Sequence, residues 1–150
     1  MTVRKARPAA RLLMIDPDGN ILLFCFDAGK GSPFWATPGG ACDPGESYIE
    51  AARREMMEET GWSLDPGSEV AQRSVEFTTL EREDVWSDER YFLVRVPNQT
   101  LSTDGHTELE RRVMQSHRWW SLAELKVTED VIFPADILEM VHVSATNTHI

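Results

Sequence analysis

The chain has 150 residues, of which 41% are hydrophobic, 9% aromatic and 27% charged, so one folded domain spanning residues 1–150 is expected rather than a disordered segment. The 25 acidic residues outnumber the 15 Lys and Arg residues, and a formal net charge of −10 argues against nucleic-acid polymers and anionic membranes as partners. Two cysteines are too few for a disulfide framework, and no apolar run reaches the roughly 18 residues of a membrane helix, so we expect a cytoplasmic protein.

The first predicted elements are two apolar strands. Ala10–Ile15 and Ile21–Phe26 flank the turn residues Asp16–Asn20, and this arrangement predicts a hairpin. Glycine, proline and aromatic content then predicts a loop at Asp27–Pro33, a short segment at Phe34–Thr37 and a break in regular structure at Pro38-Gly39-Gly40.

The strongest helix prediction is Ser47–Thr60. Ser47 can cap the helix, Glu50 stands three residues later as in a capping box, and Gly61 supplies the C-terminal stop. On a helical wheel, Ile49, Ala52 and Met56 form one apolar stripe, which predicts that this stripe faces the core.

The second half of the chain alternates short strands with short helices. Strands are predicted at Val70–Thr79, Arg90–Val96 and His117–Trp120, a charged loop at Leu80–Glu89, a short helix or irregular segment at Glu108–Ser116, and helices at Leu122–Leu125 and Pro134–Val143. This order favours an α/β or α+β fold in which a mixed sheet is sandwiched between helices.

Three glutamates of the predicted helix fall on one face. Glu55, Glu58 and Glu59 have i, i+3 and i+4 spacing, so their carboxylates are neighbours, and each (i, i+4) like-charge pair costs a few tenths of a kcal/mol. A solvated acidic helix face is one interpretation. The other is a site for Mg²⁺ or Mn²⁺, which prefer carboxylate oxygens. Arg54, which can reach Glu58 and Glu46, and the glycine-rich loop before the helix favour the metal site.

The segment Gly40–Trp62 resembles the Nudix box. Every fixed glycine, arginine and glutamate of that family pattern is present at the family spacing: Gly40, Glu46, Arg54, Glu55, Glu58, Glu59 and Gly61. Trp62 is the one departure, because the family usually has Ile, Leu or Val there, and we interpret it as a packing variant. Trp35–Gly40 and His117–Leu125 also resemble Nudix segments, so the likeness covers roughly Ala10–Leu125.

The resemblance implies a Nudix fold and hydrolysis of a nucleoside diphosphate linked to another moiety, with Mg²⁺ or Mn²⁺ as cofactor. By analogy Glu58 and Glu59 would bind the metal, Glu55 would be a ligand or the base that activates water, and the Gly40 carbonyl would be a further ligand. Arg54 and Glu46 would brace the helix and orient Glu55. These assignments make Glu55, Arg54 and Glu58 the expected catalytic residues.

Family members often recruit another carboxylate from outside the box. The possible donors are Glu81, Glu83, Asp84, Glu108 and Glu110, and Glu110 is the preferred one. Gly39 and an aromatic ring, that of Trp35 or Trp86, are expected to contact substrate, although core packing is the default role of such rings.

The substrate class stays open at the level of the sequence. A nucleoside triphosphate, unmodified or modified, is the default, and a nucleotide sugar or another NDP-linked small molecule is the second choice. A non-catalytic Nudix-fold module that binds nucleotides is the main alternative function. Such modules usually have a degenerate Nudix box, whereas the box of this chain is intact. An isopentenyl-diphosphate-isomerase-type or base-excision relative is disfavoured by the short chain. Many relatives form homodimers, so dimerisation is a further expectation.

Overall fold

The structure is a computed structural model that describes residues 4–27, 33–79 and 82–147. In these residues the strands are β1 Lys5–Ile15, β2 Ile21–Phe26, β3 Phe34–Ala36, β4 Gly39–Ala41, β5 Glu69–Thr78, β6 Asp84–Arg95, β7 Met114–Trp120 and β8 Val131–Phe133. The helices are α1 Tyr48–Thr60, α2 Glu108–Val113, α3 Leu122–Val127 and α4 Ile137–Asn147. Among the described residues, no helix combines the length and the apolar character that crossing a bilayer needs.

The strands form one mixed, branched sheet. Its main path runs β5-β6-β1-β2-β3-β8, while β4 pairs with β1 and β7 pairs with β2. Strand β1 is parallel to β6 along its whole length, and β3 is parallel to β8, whereas the other pairs are antiparallel. Strand β4 occupies the edge of β1 at Ala9–Arg11, so the registered contact between β1 and β2 is Ile15 opposite Ile21.

Helices cover both faces of the sheet, because apolar residues of the central strands alternate between them. On the side called here the α1 face, strand residues such as Leu12 and Phe24 pack against Ala52 and Met56 of α1. On the side called the α4 face, Leu13 and Leu23 are typical of the strand residues that pack against α3 and α4. The predicted sheet sandwiched between helices is confirmed.

Most predicted elements are present with shifted ends. The hairpin of β1 and β2 is confirmed, and β1 extends back to Lys5. The last helix begins at Ile137 rather than at Pro134, and β8 was not predicted. A proline has no amide hydrogen to donate, but its ring is tolerated at the start of a helix, so the sequence pattern misplaces such a boundary by a turn.

Two sequence predictions are wrong. Asp84–Glu89 belong to β6 and not to a charged loop, because their polar side chains have partners on adjacent elements, as in the contact of Asp84 with Thr78. Gly39–Ala41 form β4 rather than a break. Gly39 has φ +133°, and a Cβ atom there would lie 2.2 Å from the carbonyl oxygen of Ala10, so only glycine lets β4 approach β1 this closely.

Candidate metal centre

Helix α1 carries most of the centre, and local sequence fixes both of its ends. The Ser47 hydroxyl accepts the N–H of Glu50, and the Glu50 carboxylate accepts the N–H of Ser47, so the predicted capping box is confirmed. At the other end Gly61 is left-handed, with φ 79°, and donates its N–H to the carbonyl oxygen of Met57. The helix therefore starts and stops where the sequence predicts.

Three carboxylates meet between α1 and α2. One oxygen from each of Glu55, Glu59 and Glu110 lies within 4.8 Å of the others, and these residues are called the acidic trio below. Glu55 is 8% exposed and Glu59 3% exposed, while Glu110 is half-buried. Among the box-external acids considered from the sequence, Glu110 is the preferred one, and the structure brings it to the helix.

The loop before α2 delivers Glu110 by binding the C-terminal turn of α1. Ser102 donates its N–H to the carbonyl oxygen of Thr60 at 2.9 Å, and His106 Nε2 donates to that of Glu59 at 2.8 Å. These donors satisfy carbonyls that a helix end leaves without intrahelical partners. Gly105 lies so close to Glu58 that a Cβ would stand 2.6 Å from its carbonyl oxygen.

The two glycines of β4 contact the acidic trio from the sheet side. Gly39 donates its N–H to Glu59 Oε2 at 3.2 Å. A Cβ atom on Gly40 would lie 2.6 Å from Glu55 Oε1, so the main chain of Gly40 is in direct contact with that carboxylate. The structure therefore places Gly39, which we expected at the substrate, against a carboxylate of the trio.

Arg54 joins the loop before α1 to the helix. Its Nε and Nη2 atoms each donate to the Glu46 carboxylate at 2.9 Å, and Nη2 also donates to the carbonyl oxygen of Ala41 at 2.9 Å. Nη1 donates to Glu55 at 3.0 Å and to Glu58 at 3.2 Å. Both contacts expected from the sequence, with Glu46 and with Glu58, are present, and Arg54 fixes one oxygen of Glu55.

Electrostatics make the trio an unfavourable place for three free carboxylates. Burial raises the pKa of Glu59 well above its ordinary value, and the charges of Glu55 and Glu110 add to this. Burial also raises the pKa of Glu55, although Arg54 works in the opposite direction. Buried groups with perturbed pKa values next to like charges are typical of functional sites.

Other residues singled out from the sequence lie elsewhere. Glu58 is directed to Arg54 and its side chain is 41% exposed. Trp35 is on the α4 face, where its ring contacts Trp120 edge-to-face with centroids 5.2 Å apart. Trp86 is 41% exposed on β6.

The remaining candidate acids that the structure describes are at the surface. Glu83 pairs with Lys5 at 3.3 Å, Asp84 accepts the Thr78 hydroxyl, and Glu108 is exposed. Glu81 lies outside the described residues.

Two box positions behave as packing positions. Trp62 packs against the core of the α1 face and donates its Nε1–H to the carbonyl oxygen of Thr100 at 2.8 Å, so the departure from the family pattern also anchors the following loop. Burial raises the pKa of the Cys42 thiol, and nearby acids such as Glu46 add to the effect, so Cys42 is a poor nucleophile.

Sequence reasoning missed two residues near the centre, His106 and Arg11. His106 carries no spacing signal, because its contact with Glu59 depends on how a loop folds back over α1. Arg11 did leave a signal, since it interrupts the apolar run Ala9–Ile15 and a charge in such a run requires a partner. Its partner, Glu89, is 78 residues away in the sequence.

Comparison with known proteins gives a match to one family model and to individual relatives. The family model of the NUDIX domain matches residues 5–141. The chain is 34% identical over 76 residues to a protein of Bacillus subtilis (strain 168) named as a putative 8-oxo-dGTP diphosphatase, which covers 51% of this chain and 46% of the relative. It is 35% identical over 66 residues to an RNA pyrophosphohydrolase of Erythrobacter litoralis (strain HTCC2594), covering 44% and 40%. The chain thus spans less than half the length of these curated relatives.

A solved structure shares the fold over the whole chain. The crystal structure of a MutT protein from Methanosarcina mazei Go1 superposes with a TM-score of 0.72, covers 99% of both chains and is 22% identical. This likeness confirms the predicted fold class, a mixed sheet sandwiched between helices.

Proposed function

Because the chain belongs to the NUDIX domain family, we propose that it hydrolyses the diphosphate linkage of a nucleoside diphosphate joined to another moiety, with Mg²⁺ or Mn²⁺ as cofactor. The observation that carries the proposal is the acidic trio, in which three carboxylates lie within 4.8 Å and two of them are buried. Cytoplasmic location and homodimer formation stay predictions.

The acidic trio fits a divalent cation. Hard cations such as Mg²⁺ and Mn²⁺ prefer carboxylate oxygens, and a bound cation would offset the burial and the mutual repulsion that together raise the pKa of Glu59. The cation would supply positive charge to the phosphate oxygens and lower the pKa of a bound water. Glu59 and Glu110 would hold it from two elements, and the Gly40 carbonyl and Glu58 remain further candidate ligands.

Glu55 is the residue best placed to accept a proton. Its Oε1 atom lies against Gly40 and accepts a hydrogen bond from Arg54, so the orientation of the carboxylate is restrained. A raised pKa suits a general base that works near neutral pH, and such proton transfer contributes roughly 10²–10⁴-fold to the rate. Arg54 and Glu46 act in this proposal by holding Glu55 in place.

The proposed substrate is a nucleoside triphosphate, unmodified or modified. The relative from Bacillus subtilis is named for an oxidised nucleoside triphosphate, which supports this choice. A row of rings on the α1 face offers a surface for a base: Phe26 and Phe34 are stacked with centroids 5.5 Å apart, and Phe133, 50% exposed, meets Phe34 edge-to-face at 5.5 Å. Trp35 and Trp86 stay predictions for the same role.

The test is release of phosphate or pyrophosphate from a substrate panel. The purified protein is assayed with Mg²⁺, with Mn²⁺ and with EDTA against normal and oxidised nucleoside triphosphates, a nucleotide sugar and a 5′-triphosphorylated RNA. We expect cation-dependent hydrolysis with a nucleoside triphosphate preferred, and turnover of the RNA alone would reassign the substrate.

Glu59→Gln is the variant that links the activity to the trio, and Glu76→Gln, which changes an exposed acid of β5, is its control. Nucleotide binding without any cation-dependent hydrolysis by the wild-type protein would instead support the non-catalytic binding module.

A further inference from the structure

Arg11 is a charged residue inside an otherwise apolar central strand. Its side chain, 18% exposed, lies between two elements. Nε and Nη2 donate to Glu89 Oε2 of β6 at 3.3 and 3.1 Å, while Nη1 donates to the carbonyl oxygen of Gly39 in β4 at 3.2 Å. One guanidinium therefore connects the strand on one side of β1 with the strand on the other.

Glu89 is itself held firmly. Its side chain is 7% exposed, and Oε2 also accepts the hydroxyl of Ser87, which is fully buried, at 3.2 Å. Tyr91 Oη lies 3.5 Å from Oε1. Burial lowers the pKa of the Arg11 guanidinium, but the charges of Glu89, Tyr91 and Glu59 and the hydrogen bonds to Glu89 together keep it above its ordinary value. The pair is thus a fixed, charge-balanced anchor on the α4 face.

Gly39 connects the Arg11–Glu89 pair to the acidic trio. Its carbonyl accepts Arg11, its N–H donates to Glu59 Oε2, and the residue that follows, Gly40, contacts the Glu55 carboxylate. Gly39 has φ +133°, and because a glycine has no side chain its own backbone preferences do not hold it in this conformation. The hydrogen bond from Arg11 adds a restraint on the carbonyl of the Gly39–Gly40 peptide group to the one that the β1–β4 pairing supplies.

We propose that Arg11, anchored by Glu89, is a positioning residue of the metal centre: it fixes the Gly39–Gly40 peptide group and through it the carboxylates of Glu59 and Glu55. The inference rests on the proposed function, because it assumes that the acidic trio binds a divalent cation. It adds a residue outside the Nudix box, on the opposite face of the sheet, to those that determine cation affinity.

The planar fork of arginine is required for this role. Two of its nitrogens bind the carboxylate of Glu89 while the third is directed to Gly39. A lysine ammonium is a single point on a flexible stem, so it can neutralise Glu89 but cannot hold both acceptors in the same geometry. Arg11→Lys therefore separates the charge of Arg11 from its positioning function.

The experiment measures Mn²⁺ binding to the whole protein by calorimetry, without substrate, beside steady-state kinetics. For Arg11→Lys we expect Mn²⁺ affinity to fall about tenfold to a hundredfold, the usual effect of losing a group that orients metal ligands. We also expect kcat to fall while KM for the nucleotide changes little. Arg73→Lys is the matched control, because Arg73 pairs with Asp136 on the same face at 2.7 Å. It should bind Mn²⁺ like the wild type.

A double variant guards against simple unfolding. Arg11→Met with Glu89→Gln removes both charges, so no buried charge is left alone, and the fold is checked by circular dichroism. Weak Mn²⁺ binding by this folded variant supports the proposal. Wild-type Mn²⁺ affinity in Arg11→Lys or in the folded double variant overturns it and leaves the proposed function intact. Failure of the wild-type protein itself to bind Mn²⁺ overturns both.

Discussion

Buried carboxylates have opposite electrostatic surroundings on the two faces of the sheet. On the α1 face, Glu55 and Glu59 are 8% and 3% exposed and stand beside a third acid, Glu110. On the α4 face, Glu89 is 6% exposed, a similar degree of burial, but it is surrounded by the donors Arg11 and Ser87. Burial alone therefore does not distinguish a structural acid from one that serves a site.

The balance of charge is what distinguishes them. The Glu89 carboxylate has a cation within 3.1 Å, so its burial is compensated inside the chain. The guanidinium of Arg54, which bonds to the trio through Glu55, is already shared with Glu46 and Glu58. An excess of negative charge held in place by hydrogen bonds is the arrangement expected where a divalent cation completes the structure.

The largest expected effect comes from removing one charge from the trio. Glu59→Gln keeps the size of the side chain and an oxygen that can accept the Gly39 N–H, but it weakens cation binding. We expect cation-dependent hydrolysis to fall by on the order of 10³-fold. The free energy of unfolding of the metal-free variant should rise, because a buried like charge is gone. Initial rates and urea denaturation check both parts, and an unchanged rate would contradict the assignment of Glu59.

The same chemical change on the other face should have the opposite effect on stability. Glu89→Gln leaves Arg11, whose side chain is only 18% exposed, without its counter-charge, and breaking a buried ion pair from one side costs about 3 kcal/mol. Urea denaturation of the metal-free protein measures this loss. If Glu89→Gln were as stable as the wild type, the contrast between the two faces would be lost.

A divalent cation should stabilise the wild-type protein through the trio. A ligand that binds only the folded state adds about 2.7 kcal/mol when its concentration is one hundred times Kd. Thermal unfolding is followed with Mn²⁺ and with EDTA. The shift should be present in the wild type and in Glu76→Gln, which changes an exposed acid of β5, and largely absent in Glu59→Gln. Equal shifts in all three proteins would indicate that the cation binds elsewhere.

The sequence predicted the helix of this site better than its surroundings. The capping box of Ser47 and Glu50, the stop at Gly61 and the contacts of Arg54 depend on residues close together in the chain, so spacing alone was sufficient. Glu110 could be named only as one of several acids, because its approach to Glu59 depends on a loop that binds the end of α1.

Long-range pairing explains what the sequence could not supply. The pairing of Arg11 with Glu89 depends on β1 lying parallel to β6. Because Asp84–Glu89 are rich in charged residues, the sequence predicted a loop there instead of the strand that carries Glu89. The close approach of Gly39 to Ala10 likewise turned an expected break into β4. In each case a tertiary contact determines the local structure, and local patterns do not contain it.

The smallest expected effect tests whether the pairing of a carboxylate, rather than the face of the sheet on which it lies, determines its effect on stability. Asp88 lies on the same side of the sheet as the trio, where Tyr48 of α1 donates to its Oδ2 at 2.9 Å. Unlike the trio, it is compensated: Arg90 donates to both of its oxygens at 2.9 Å and Gln72 to Oδ1 at 2.8 Å. The bonds from Arg90 are the main reason why the pKa of Asp88 is lowered from 3.8 to about 2.

A lowered pKa means that the folded state favours the charged form of Asp88. This stabilisation is fully present above pH 4 and is lost as the pH falls towards 2, and its size is roughly 2 kcal/mol at 1.36 kcal/mol per pKa unit. The free energies of unfolding of wild type and Asp88→Asn, measured by urea denaturation, should therefore differ by about that amount at pH 6. The difference should disappear as the pH falls from 4 towards 2. For Glu59→Gln the raised pKa reverses the sign, so the advantage of the variant over wild type should grow as the pH rises. If the difference in free energy of unfolding from the wild type changed with pH in the same direction in both variants, the contrast would be wrong. The position of both carboxylates near α1, and not the pairing of each one, would then determine its effect on stability.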